Sequence, residues 1–426
     1  MIMKWFVLAI AVIMYGVIIA FPQKKVWASL GAALLLVILG VVTPLQAIGT
    51  LINWNVLMIY IGSLVIAELF IYSRVPSRIA DTIVDRSPNV GIAMVALLIM
   101  TGIISAFVEN VATVLVMAPI ALALSNKTKT NPTYFLVGLA VMSNLQGTAT
   151  LVGDPPSMLF ASFARYGFND FFFYQGKPSI FFVVQVGMIA GCFFFYYFFS
   201  KHGSAKVEIE KENVLSWTPT VLLILMIVGL AISSFFHAGV SLTAGLLVMG
   251  LGILGLLWFR YRKHETRERT VTLIKNLDWE TILFLIGIFV IVGAIAEVGL
   301  LEDFAAYLSR VIGSNVLLGF IVIIGVSVVF SGFIDNVPYI IVMLPVAAKI
   351  ASDMGLVPEL YMFALLIGSC LGGNITPFGA SCNVVTVGIL KKEGIKLSFG
   401  GWLKIGLPFT IITTLASALF LWAVWR

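Results

Sequence analysis

Two acid–amide pairs interrupt long apolar stretches: Glu109-Asn110 within 92–125 and Asp335-Asn336 within 314–351. An ionisable side chain among apolar segments is costly to keep and marks a functional site by default. Asn is a favourable N-cap, so Asn110 and Asn336 are each expected to open an apolar helix. Such a helix start exposes unpaired N–H groups and a partial positive charge. A bound ion or a substrate oxygen would satisfy them, with Glu109 and Asp335 alongside. The plainer alternative is that each acid only caps its own helix.

A second pair of stretches is rich in residues that break helices. The first runs from Asn144 through Gly147, Thr148, Thr150 and Gly153 to Asp154-Pro155-Pro156. The second runs from Gly372-Gly373-Asn374 through Thr376-Pro377 and Gly379 to Ser381 and Asn383. Gly removes side-chain bulk and Pro removes a donor, so neither stretch should stay helical throughout. Unwound backbone frees carbonyls to coordinate a cation, and the hydroxyls of Thr150 and Thr376 can join them. Asn110, Thr150, Asn336 and Thr376 are therefore the candidate sodium ligands. A simple proline kink is the alternative. Asp154 has no acidic counterpart in the second stretch, where Ala380 takes its place. It suits proton or cation coupling, or serves only as an N-cap before Pro155. Glu68, inside the apolar run 52–72, is placed to face a pathway; Glu297, at the end of 279–299, is expected at an interface.

No catalytic residue and no cofactor is expected. There is neither an HExxH zinc motif nor a serine–histidine or cysteine–histidine constellation. His202, His237 and His264 are scattered, and Cys192, Cys370 and Cys382 lie in or beside apolar runs without metal-like spacing, as buried small hydrophobes do. No Arg or Lys lies at either tip or either break, which disfavours a multiply charged anion.

The elements that position these residues follow from composition. Hydrophobic residues make up 60% of the 426 and charged residues 11%, against roughly 25% charged in soluble domains. The mean hydropathy is +1.07. Such a chain has too little polar surface for water, and its solvent is the lipid bilayer. The net charge of +6 sits in short loops and forms no basic domain, so nucleic acid is not a partner. Ten stretches are long enough to cross: 3–21, 25–43, 52–72, 134–165, 179–200, 217–235, 239–259, 279–299, 358–390 and 402–425. The first is read as a retained helix, because Lys24 and Lys25 follow its apolar run, whereas a signal peptide is positive before it. The stretches 92–125 and 314–351 are read as hairpins that enter and leave on one side.

Lys and Arg set the orientation. With the N-terminus outside, 20 of them fall in cytoplasmic loops and 6 outside, which puts both termini outside a cell inner or plasma membrane. The halves also repeat. Ser105, Asn110, Pro119, Ser143, Gly147, Thr150 and Gly153 match Ser331, Asn336, Pro345, Ser369, Gly373, Thr376 and Gly379 at a constant spacing of 226, and Trp54 and Gly62 match Trp279 and Gly287 at 225. The expected organisation is a first repeat over 1–200, a solvated cytoplasmic linker over 201–216 and a second repeat over 217–426. Each repeat holds five crossings and one hairpin. Five is odd, so the second copy lies inverted. The expected fold is thus all-α and membrane-integral, with two inverted-topology repeats, about ten transmembrane helices, two re-entrant hairpins and two broken helices. Such folds bind substrate near the midplane, where broken helices meet.

The pairing of ENVATVLVMAP (109–119) with GTATLVGDPPS (147–157), and of IDNVPYIIVMLP (334–345) with GGNITPFGASCNVV (372–385), resembles the ion transporter superfamily. The nearest branch is that of arsenite permeases, sodium–proton antiporters and P protein-like carriers. The resemblance spans nearly the whole chain. It implies elevator-like alternating access, often in a homodimer. It carries site roles onto Asn110, Thr113, Asn144 to Asp154, Asp335, Asn336 and Asn374 to Asn383. It does not fix the substrate, since fold does not fix function. A proton- or sodium-coupled secondary transporter is expected, exporting arsenite, antimonite or a small anion. The alternatives are a sodium–proton antiporter, a dicarboxylate or citrate-type permease, and a passive channel. Arsenite is favoured as a largely neutral hydroxide that needs no fixed cation. A membrane enzyme fits least.

Overall fold

The fold is described from a computed structural model covering residues 2–199, 211–236 and 242–426. Most of the expected linker, 201–210, and both His202 and His237 lie outside the described residues.

The first half runs α1 (Ile2–Ala20), α2 (Lys25–Ile38), the short α3 (Pro44–Gln46), α4 (Trp54–Tyr72), α5 (Val75–Arg86), α6 (Val90–Ser105), α7 (Asn110–Thr128), α8 (Thr133–Gly147), α9 (Pro155–Ala164) and α10 (Ile180–Phe199). The second runs α11 (Thr218–Phe236), α12 (Leu242–Leu257), α13 (Arg267–Lys275), α14 (Trp279–Glu297), α15 (Leu300–Ile312), α16 (Val316–Ser331), α17 (Asn336–Asp353), α18 (Glu359–Gly372), α19 (Ser381–Lys392) and α20 (Phe399–Trp425). A two-stranded ribbon between α9 and α10, β1 (Phe173–Tyr174) against β2 (Lys177–Pro178), is the one sheet among the described residues. Eight of the described helices are long and apolar enough to cross a bilayer. The molecule is an all-α integral membrane protein with two inverted-topology repeats.

Start signals recur between the halves. Asn53 and Asp278 cap α4 and α14, accepting from Val56 N and Thr281 N. Asn89 and Asn315 do the same for α6 and α16. Pro119 and Pro345 sit inside α7 and α17. Both hairpins form where expected, as α6–α7 and α16–α17, and both long crossings break, as α8–α9 and α18–α19. The amphipathic helices α5 and α15 were not expected. Each follows a residue with positive φ, Arg74 (58°) and Gly299 (73°). That reversal turns the chain sharply off α4 and α14, so a loop of mixed polarity coils into a surface helix.

Packing crosses between the halves. Helix α12 lies along α4, and α2 along α14. Both approaches depend on glycine. A Cβ at Gly62 would come within 2.6 Å of the Val248 carbonyl, and one at Gly287 within 2.6 Å of the Ser29 carbonyl carbon. The outer part of each broken helix crosses as well: α9 packs on α17 and α18, and α19 on α7 and α8. Every residue of α8 except Tyr134, and every residue of α18, is buried. This double exchange brings the two hairpin tips and the two breaks together.

Candidate functional site

Each hairpin tip is built from matching residues, with the serine contact to a hydroxyl in one half and to a carbonyl in the other. Ser105 donates to Asn110 Oδ1 at 2.8 Å and shares a 2.7 Å hydroxyl contact with Ser143. In the second half Ser331 donates to Asn336 Oδ1 and to the Ser369 carbonyl. Thr150 donates to the Ala106 carbonyl, and Thr376 to the Gly332 carbonyl at 2.6 Å. Each threonine thus ties an unwound segment to the turn of its own hairpin. Residues spaced at 226 in the sequence occupy matching positions in this network.

The tips differ from expectation in one respect. Asn110 and Asn336 are the first helical residues, and the N-caps are the acids before them. Glu109 Oε2 accepts from Ala112 N at 2.9 Å, and Asp335 Oδ1 from Val337 N at 3.1 Å. The amide side chains instead turn back onto Ser105 and Ser331. A carboxylate at the cap satisfies an orphan N–H and complements the helix dipole, so each acid has a structural job in addition to any other.

Glu109, Asn110, Asn144, Asp154, Asp335, Asn336 and Ser381 line one cavity of about 50 Å³, about the room of one or two water molecules. Thr113, Gly147, Thr148, Thr150, Asn374, Thr376 and Asn383 do not line it. They are buried behind it and brace the backbone. Thr113 bonds to the Val108 carbonyl at 3.3 Å, and Thr148 to that of Asn144 at 3.5 Å. Asn383 Nδ2 donates to the carbonyls of Gly373 and Thr376, each at 2.9 Å. The halves are clasped by Asn144, whose Nδ2 reaches the Cys370 carbonyl at 2.7 Å and Asn374 Oδ1 at 3.0 Å. Asp154 caps α9 through Ser157 N at 2.9 Å, while its Oδ2 is buried with no nitrogen or oxygen partner among the described residues and the Cys370 thiol lies beside the carboxylate.

Sequence reasoning missed part of the lining. Tyr60, Asp278, Thr281, Phe284 and Cys382 also face the small cavity. Asp278 had a signal, since it precedes Trp279 as the capping Asn53 precedes Trp54. Tyr60 had none, standing in a continuous apolar run. Cys382, read as packing, is buried at the wall of a polar site.

The small cavity adjoins a larger one of about 830 Å³, with which it shares Glu109, Asp278, Thr281, Asp335 and Gly379 to Ser381. The larger cavity reaches the exposed turn at Lys275 and Asn276 and is also lined by Lys25, Glu68 and Glu280. Glu68 thus lines the larger cavity, whereas Glu297 lies exposed at the end of α14. Lys25 overturns the expectation that no cation stands near a tip. Its Nζ lies 3.6 Å from Asp335 Oδ2 and 3.9 Å from Glu280 Oε1. Lys25 is distant from both acids in sequence; the packing of α2 on α14 brings it to Glu280, and the contact of α14 with α17 brings in Asp335. Four acids line the small cavity, yet among the described residues no three His, Cys, Asp or Glu side chains converge as metal ligands would.

The sequence model of the citrate transporter family matches residues 10–368 and again 269–426. An uncharacterized transporter of Mycobacterium tuberculosis is 31% identical, over 87% of this chain and 86% of its own length. The P protein of Sus scrofa is 24% identical over 96% of this chain and 58% of its own. In structure, the YdaH transporter of Alcanivorax borkumensis, described as having an unusual topology, superposes with a TM-score of 0.59 at 16% identity. That match covers 91% of this chain and 87% of the other.

Proposed function

Because the chain belongs to the citrate transporter family, and is a membrane transporter and not an enzyme, we propose that it moves a small carboxylate together with protons or sodium ions. One observation carries this reading: a cation-sized, acid-lined pocket between the hairpin tips opens into a solute-sized vestibule that holds a lysine. The vestibule volume lies within the range of small-ligand sites, roughly 300–1,000 Å³. Four acids against one nearby ammonium would repel a bare polyanion, so the carboxylate must enter with cations that neutralise them. Asn110, Thr150, Asn336, Thr376 and the unwound carbonyls are the proposed sodium ligands. Glu109, Asp154 and Asp335 are the proposed proton carriers.

The same reading takes 1–200 and 217–426 as the two repeats, joined by a linker over 201–216, in a homodimer within the cell membrane with both termini outside. The excess of Lys and Arg on one face supports the orientation. It would make the vestibule cytoplasmic.

A second reading, export of arsenite, is favoured by Cys382 at the cavity wall and Cys370 buried nearby on α18. Thiols are soft ligands suited to trivalent arsenic, and the neutral hydroxide would meet no repulsion from the acids. Sodium–proton exchange alone needs only the small cavity. The test is flux in proteoliposomes under imposed pH or sodium gradients, with radiolabelled citrate, malate, succinate, arsenite and sodium. Gradient-driven uptake of a carboxylate that collapses with an ionophore is expected. Arsenite or sodium flux without any carboxylate flux would replace the proposal with one of the alternatives.

A further inference from the structure

Lys25 is held differently from the other ion pairs around it. Its ammonium is flanked by Asp335 at 3.6 Å and Glu280 at 3.9 Å, and it lies 5.5 Å from the centre of the Phe284 ring. Neither carboxylate is within hydrogen-bond distance, yet the side chain is only 14% exposed. A lysine has three donors, and an ammonium this enclosed gains most from a ligand oxygen that docks on it directly. The two ends of the pair stand on different helices. Lys25 opens α2, which runs along α14, whereas Asp335 caps α17, which packs mainly on α18, α15 and α9 and only lightly on α14. Glu109, which occupies the position of Asp335 in the first half, makes no ion pair among the described residues. The repeats are therefore unequal: one tip acid is neutralised by a side chain and the other is not.

We propose that Lys25 is the carboxylate-recognition residue of the vestibule and that Asp335 is its internal placeholder. This rests on the carboxylate reading above. A substrate carboxylate takes the Lys25 ammonium from Asp335. Asp335 then faces Glu280 and Asp278 from α14, Glu109 from the first hairpin and Asp154 from the first unwound segment without its counter-charge; Glu68 on α4 and Lys275 at the rim share the vestibule. The anion and Asp335 thus compete for one ammonium, and binding exchanges an internal carboxylate for an external one, with Lys25 charged throughout.

The test uses the purified full-length protein, with citrate, malate and succinate as probes. Affinity is read by titration calorimetry, and stability by thermal melts. Wild type is expected to bind at least one probe. Lys25→Met should weaken binding by about tenfold or more, the scale of a lost charge-assisted contact, and Lys25→Arg should restore most of it. Asp335→Asn leaves Lys25 free, so it should bind as tightly as wild type or more tightly. A structural ion pair predicts the opposite pattern, in which Lys25→Met and Asp335→Asn lower the melting temperature alike and leave the affinity of the folded protein unchanged. Wild-type affinity in Lys25→Met, or loss of binding in Asp335→Asn, overturns the assignment of Lys25 while leaving the carboxylate reading intact. If wild type binds none of the three probes, the carboxylate reading falls and takes this proposal with it.

Discussion

The Tyr60 hydroxyl donates to Asp278 Oδ2 at 3.0 Å, joining α4 of the first half to the cap of α14 in the second. Tyr60 is fully buried, and both residues face the small cavity. The other oxygen of Asp278 already caps α14 through Thr281 N at 3.0 Å, so the carboxylate is held at both ends between the repeats. Tyr60→Phe keeps the ring and removes one hydrogen bond to a charged group, a loss of about 1.5–3 kcal/mol. The expected outcome is a modestly lower melting temperature with a severalfold slower transport rate. An unchanged rate at lower stability would assign the bond to the scaffold alone.

The broad architecture was legible in the sequence because polar, Gly and Pro positions kept one register across both halves. Ser105, Asn110, Ser143 and Thr150 and their partners at 226 do form matching networks. The identity of the cap was not legible. Both Glu-Asn and Asp-Asn offer a capping side chain, and only backbone geometry decides between neighbours. Lys25 was misjudged for a different reason. Counted as a loop charge, it reaches inward along α14, and a contact between residues so far apart in sequence follows from helix packing that no local pattern encodes. Tyr60 was hidden because an aromatic in an apolar run is indistinguishable from core until its hydroxyl finds a partner.

Glycines at the crossed helix pairs give a stability prediction. At Gly62 and Gly287 a Cβ would meet backbone and not a movable side-chain end. Gly62→Val or Gly287→Val should each lower stability by about 1–3 kcal/mol or more, the range of overpacking, with reduced yield of monodisperse protein. Substitution at Gly250, where a Cβ meets nothing within 4 Å, should be silent in the same thermal melts. Equal effects at the three positions would contradict the close approach of α12 to α4 and of α2 to α14.

Orientation is testable at two exposed positions. Glu268 lies on α13, and Ser314 lies between α15 and α16. In a background lacking Cys192, Cys370 and Cys382, a cysteine at 268 should react with an impermeant maleimide from the cytoplasmic side and one at 314 from the other. Reversed labelling would invert the charge argument and place the vestibule outside.

The acids of the small cavity give the most discriminating prediction, because three of them have a capping role that can be kept while the charge is removed. Glu109→Gln retains an oxygen for Ala112 N, Asp335→Asn one for Val337 N, and Asp154→Asn one for Ser157 N. If capping is their whole purpose, all three variants should melt close to wild type and transport with normal coupling. If they carry the coupling ion, all three should melt close to wild type and lose gradient-driven uptake, while exchange without a gradient survives where the remaining acids suffice. Asp154→Asn should lose the most uptake, because Oδ2, buried with no nitrogen or oxygen partner among the described residues, is the position a bound proton or cation would take. Melting temperature and proton- or sodium-driven uptake measured on the same preparations separate the two cases. Normal pH and sodium dependence in all three would remove these acids from the coupling mechanism and leave Glu68, in the vestibule, as the acid to test next.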